Sequence, residues 1–173
     1  RVLFLVLVVH PPLLLKVIIP LATMLIAGLS FIFVAQKGLL EGEAPTHQPS
    51  EIKNPLKLST AIKFGLLFAL VLVVLEYAQS FLGPTGVYLA SFLSGLTDVD
   101  AVTLSVTRLA DGGQLTTDVA AAAVVIAALM NTVSKGAICY FSGTSELRRP
   151  VIRAFLLMVL AGLVSGGLVL FLS

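Results

Sequence analysis

Residues 13–35 run apolar with only Lys16 and Pro20 interrupting, and comparable stretches return at 56–82, 87–110, about 118–140 and 151–172. Apolar stretches near 20 residues constrain this chain more than any other feature. A bilayer's hydrocarbon core is about 30 Å thick and takes about 20 residues of helix to cross. Inside it the backbone must satisfy its own hydrogen bonds, which leaves helices or a closed barrel. Runs this long, without alternation, predict helices. The composition agrees: 58% of the 173 residues are hydrophobic and 12% charged, against roughly 25% charged in soluble domains. The expected fold is therefore all-α, a polytopic transmembrane bundle of about four to five spanning helices plus one broken helix.

Val2 to Val9 is apolar but too short to span, and it stops at His10-Pro11-Pro12, a turn signal. The chain opens at Arg1 inside that run, which reads as the tail of a helix beginning earlier. Gln36 to Lys53 is the long polar stretch, a surface loop in which His47 has no ligand-spaced neighbour. Asn54-Pro55 is a helix start, with Asn as cap and Pro in the first turn. Gly83-Pro84-Thr85-Gly86 ends that helix, and Ser142 to Arg149 is a short loop before the last one. Cys139, the single cysteine, reads as a small hydrophobe in a helix.

Arg1 and Lys135 stand 134 positions apart, and each opens an apolar tail, a proline-containing turn and a long apolar helix. At the same offset Met24, Ala27, Gly28 and Leu29 match Met158, Ala161, Gly162 and Leu163. This echo divides a single transmembrane domain, 1–173, into the tail of a first repeat with the first complete span (1–35), the polar loop (36–54) and a second repeat (55–173). Counting basic residues near helix ends, the positive-inside tendency is better met if 87–110 enters and returns than if it crosses. A three-span unit would make the two copies inverted.

Thr97, Asp98 and Asp100 are the sharpest chemical feature. An acid at membrane depth costs about 2.5–3.5 kcal/mol on insertion scales and is kept for ion or substrate paths. If Gly95 lets the backbone unwind, residues two apart point the same way, and the two carboxylates make a site for a hard cation or a proton, as at broken transporter helices. The same residues also read as a capping box that starts a helix at Val99 and binds nothing. Thr103, Ser105, Thr107, Arg108 and Asp111 continue a polar stripe. Asn131 and Lys135, four apart, share one helix face; Lys135 either pairs with Asp98 or Asp100 or snorkels to the headgroups. Gly162 and Gly166 form a helix-packing pair. No catalytic constellation, cofactor motif or nucleic-acid stripe emerges.

The segments Asn54-Pro55-Leu56, Gly95-Leu96-Thr97-Asp98-Val99-Asp100-Ala101 with its flanks, Arg108-Leu109-Ala110 and Asn131-Thr132-Val133-Ser134-Lys135 resemble the C-terminal membrane domain of unknown function (domain of unknown function 4010) in bacterial MgtC/SapB-type proteins. The resemblance covers nearly the whole chain and implies a multi-pass protein of the bacterial inner membrane. The MgtC-type half is not seen here.

Two functions are consistent with these features. One is an ion or small-solute transporter or channel-like domain, with its site at Thr97, Asp98, Asp100, Thr103, Ser105, Asn131 and Lys135 and a cation at Asp98/Asp100. The other is a structural or regulatory subunit of a larger membrane complex, or a homo-oligomer, whose polar residues serve packing. An enzyme is not expected.

Overall fold

The computed structural model describes residues 1–39, 58–142 and 145–172, all of its regular structure helical. In chain order the helices are α1 (Val2–Val9), α2 (Pro11–Leu39), α3 (Leu58–Gly95), α4 (Val99–Asp111), α5 (Thr117–Ser142) and α6 (Ser145–Leu172). Three stretches among the described residues are long and apolar enough to cross a membrane: Pro11–Phe31, Thr117–Phe141 and Arg148–Val169. Four to five were expected. Of the loop expected at 36–53, residues 36–39 instead continue α2; the remainder, with His47, and the helix start at Asn54-Pro55 lie outside the described residues.

Local chemistry explains where the elements begin and stop. His10 has extended-side backbone angles and donates its N–H to Val6, and α2 then starts at Pro11-Pro12 because a first-turn proline forgoes no helical hydrogen bond. Pro20 sits inside α2, with the Thr23 hydroxyl donating to the Pro20 carbonyl at 2.8 Å. The helical run expected to end at Gly83-Pro84-Thr85-Gly86 does break there: Gly83 takes the non-helical angles φ 58°, ψ −143°, a region open to glycine, and Pro84 starts a second helical run within α3. Arg148 and Arg149, expected in a loop, belong to α6, which begins at Ser145. Thr116 caps α5, its hydroxyl accepting from the Val119 amide at 3.3 Å.

The interior is built from small residues and hydroxyls. Ala120, Ala123, Val124 and Ala127 of α5 are fully buried, as are Thr103, Ser105 and Thr107 of α4 and Ser91 of α3. The exterior carries Phe4, Phe33, Phe81, Leu93, Val164 and Phe171, all exposed. Leu13, Val6 and Val17 are buried among the small residues; the apolar exterior is what departs from a water-soluble protein, and it suits a lipid surround in which close packing of small residues holds helices together. Gly95 is the tightest point: a Cβ there would lie 2.6 Å from the Ala127 carbonyl oxygen and 2.8 Å from its Cα. Glycine is expected there for unwinding, but its role is backbone-to-backbone approach between α3 and α5.

α2 and α6 pack antiparallel along their middles. A Cβ on Gly162 would meet the Met24 sulfur at 2.7 Å, and one on Gly28 would meet the Met158 sulfur at 3.1 Å. The Thr23 and Ser165 hydroxyls share a hydrogen bond of 2.7 Å nearby. Gly166 faces Val125 of α5 at 3.0 Å. Gly162 and Gly166 of α6 thus receive side chains from α2 and α5.

Candidate functional site

α3 ends at Gly95 and α4 begins at Val99, and the three residues between them sit against the middle and second half of α5. Gly95 lies on Ala127, and the Ser134 hydroxyl donates to the Leu96 carbonyl at 2.8 Å, so a carbonyl freed by the break is satisfied from α5. Thr97 does not cap α4: its hydroxyl donates to the Ser94 carbonyl at 2.8 Å, closing the last turn of α3. Asp98 is the cap. Its backbone is extended (φ −151°, ψ 133°) and its carboxylate accepts the Asp100 amide at 3.1 Å. A carboxylate suits this place because the first amides of a helix are unpaired and carry its positive end.

Asp100 turns elsewhere. It forms an ion pair of 3.5 Å with the guanidinium of Arg1, which stands immediately before α1. At the far ends of the same two helices, His10 Nδ1 lies 3.3 Å from an Asp111 carboxylate oxygen. Start therefore meets start and end meets end, so α1 and α4 lie parallel. One turn further along α2, Lys16 pairs with Asp118 of α5.

An open cavity of about 510 Å³ lies where α1 and α4 begin, lined by Arg1, Val2, Leu3 and Leu21 on one side and by Asp98, Val99, Asp100, Asn131 and Lys135 on the other. Two cationic and two anionic side chains thus share its wall. Asn131 is buried and Lys135 exposed. Lys135 has no carboxylate within 4 Å among the described residues, and the expected pairing with Asp98 or Asp100 is not made. No group of three or more His, Cys, Asp or Glu able to hold a metal occurs among the described residues.

Of the residues singled out from sequence, Asp98, Asp100, Asn131 and Lys135 come together here. Thr103 and Ser105 do not line the cavity. They are buried in α4's packing face and donate to the carbonyls of Val99 and Ala101, each at 2.8 Å; Thr107 does the same toward Thr103 at 2.5 Å. A hydroxyl bonded to its own helix's backbone is satisfied without a partner or a water path. Gly162 and Gly166 lie on the other flank of α5. Nothing local in the sequence marks Arg1 as a site residue; its only signal is the 134-position match to Lys135. Ser91, whose fully buried hydroxyl has no partner among the described residues, was detectable only as one of the small residues spaced along 87–95.

A relative from Aquifex aeolicus (strain VF5), described only as an uncharacterized protein, is 39% identical over 97 residues, covering 56% of this chain and 42% of that protein. The chain thus spans less than half the length of this curated relative. No solved structure matches. Residues 1–143 match the family model described as Domain of unknown function (DUF4010). That match covers most of the chain, whose own apolar helices are long enough to cross a bilayer, and the chain belongs to this DUF4010 family.

Proposed function

We propose that this domain carries an ion or a small solute across a bacterial inner membrane, and that the cavity between α1, α4 and α5 is where the cargo rests. The observation that carries this reading is that α1 and α4 are short and lie parallel, with the cavity at their shared start. At 1.5 Å per residue α1 is about 12 Å long and α4 about 20 Å, so both are half-membrane elements. Their far ends meet at His10–Asp111 and their near ends at Arg1–Asp100. With the His10–Asp111 ends at the membrane surface, a bilayer core of about 30 Å would set the cavity near mid-depth, where broken helices in transporters present their unsatisfied termini to cargo.

The balance of charge refines the cargo. Two cations and two acids on one wall disfavour a tightly held metal ion and suit a proton or a solute bearing both signs, each end finding an opposite partner. Four to five crossings, with 87–110 entering and returning, and pairing with an MgtC/SapB-type half belong to the same reading; the last rests on the motif around Gly95–Ala101.

Flux into proteoliposomes tests it, with the full natural protein and a panel of protons, Na⁺, K⁺, Mg²⁺ and zwitterionic amino acids. Wild type should move one of these, and Asp98→Asn and Asp100→Asn should abolish the movement. Asn caps a helix about as well as Asp, so a loss in Asp98→Asn reports the charge and not the fold. No flux in wild type, or equal flux in all three proteins, overturns the proposal.

A second reading, a structural or regulatory subunit of a larger membrane complex, is favoured by one observation. The buried hydroxyls of α4 are satisfied within that helix, as packing alone would require. Wild type without flux that purifies with a stoichiometric membrane partner would select it.

A further inference from the structure

The seam between α2 and α6 has a symmetry that leads beyond the cavity. Met24 seats on Gly162 and Met158 seats on Gly28, and Met158 and Gly162 each stand 134 positions after Met24 and Gly28. A contact that returns when its partners are exchanged is the mark of a two-fold axis. Since α2 and α6 run antiparallel, that axis lies across them, and the elements it relates point in opposite directions.

The axis relates two faces of the molecule. Arg1, Val2, Leu3 and Leu21 line the cavity, and the residues 134 positions later are Lys135, Gly136, Ala137 and Phe155. Gly136, Ala137 and Phe155 line a separate, apolar groove of about 320 Å³ that Phe141 and Leu156 extend. In the first face the start of α4 fills the space: Asp98, Val99 and Asp100 sit opposite, and Asp100 pairs with Arg1. In the second face nothing among the described residues occupies the corresponding place, and Lys135, which precedes the groove residue Gly136 and itself lines the first cavity, has no acid within 4 Å among the described residues.

We propose that the groove on α5 and α6 seats a second broken helix of the α4 kind, belonging to a repeat on the N-terminal side of Arg1 in the same polypeptide, and that an acid at its start pairs with Lys135. The length of the Aquifex relative, of which this chain covers 42%, is consistent with room for such a unit. Asp100 precedes Lys135 by 35 positions, so the acid should stand about 35 positions ahead of Arg1 under the same repeat spacing. The proposal does not depend on transport; it concerns assembly alone and is read without flux.

Photo-crosslinking in native membranes tests it. In the full natural protein p-benzoylphenylalanine is placed at Phe141, which lines the groove and is 78% exposed, so the change should leave the fold intact. The expected product is an intrachain crosslink, mapped by mass spectrometry to a peptide N-terminal to Arg1 and close to the anticipated acid. Lys135→Glu should lose that crosslink, and reversing the upstream acid to lysine should restore it. Capture of lipid or of a second copy, or an upstream sequence with no acid at that spacing, overturns the proposal.

Discussion

At the residue scale, Asp98 carries two roles that substitution can separate. Its carboxylate caps α4 through the Asp100 amide while also lining the cavity. Asp98→Ala removes cap and charge together, and the protein should lose about 0.5–2 kcal/mol of stability, the usual cost of deleting an N-cap. Asp98→Asn should stay within a few tenths of wild type, because an amide oxygen can still accept the amide proton. Thermal unfolding in detergent measures both. A wild-type melting temperature for Asp98→Ala would show that the cap contributes nothing. The motif around this residue is legible in sequence as a helix start at Val99. Which residue caps is not legible, since Thr97 and Asp98 are both competent and the choice falls to Ser94, whose carbonyl takes the threonine hydroxyl.

At the scale of elements, the α2–α6 seam offers a matched comparison. A methyl group at Gly162 would fall within 2.8 Å of Met24 and Leu129 atoms, whereas one at Gly28 would meet the flexible thioether of Met158 at 3.1 Å. Overpacking typically costs about 1–3 kcal/mol, and less where a flexible side chain can move aside. Gly162→Ala should therefore destabilise by about 1–3 kcal/mol and Gly28→Ala by less than half of that, with Met24→Ala relieving the first. Denaturation in mixed micelles gives the ranking, and equal costs would refute it. Helix positions in this bundle follow closely from apolar runs and prolines. What sequence does not yield is contact: Gly95 reads as a hinge because glycine permits unwinding, while its reason for being there is Ala127, 32 positions away. In the same way, the hydroxyls of α4 read as a polar stripe, and only three-dimensional placement shows each bonded within its helix.

For the whole molecule, large apolar side chains cover the outside as well as filling the inside, and the expected response to mutation on the outer face changes accordingly. Leu25 lies on the outer face of α2 and is exposed, whereas Ser165 of α6 is buried with three hydrogen-bonding neighbours. Leu25→Asp should lower insertion by about 2.5–3.5 kcal/mol on translocon scales, while Ser165→Ala should leave insertion unchanged and cost about 1 kcal/mol of folded-state stability. An insertion assay reading glycosylation of reporter loops separates the two effects; unimpaired insertion of Leu25→Asp would place that face in water or against protein. Membrane character is the part of the fold that composition makes plain at once. The site is only partly legible, because Arg1 reaches it from 99 positions away along the chain, and no local pattern announces a partner at that separation.

The wall shared by Arg1, Lys135, Asp98 and Asp100 has an electrical consequence. Moving one elementary charge through a potential of 100 mV involves about 2.3 kcal/mol, but side chains whose formal charges sum to zero feel almost no net force from that field. Translation of these four groups together would be indifferent to voltage, whereas moving one of them apart from the rest would not.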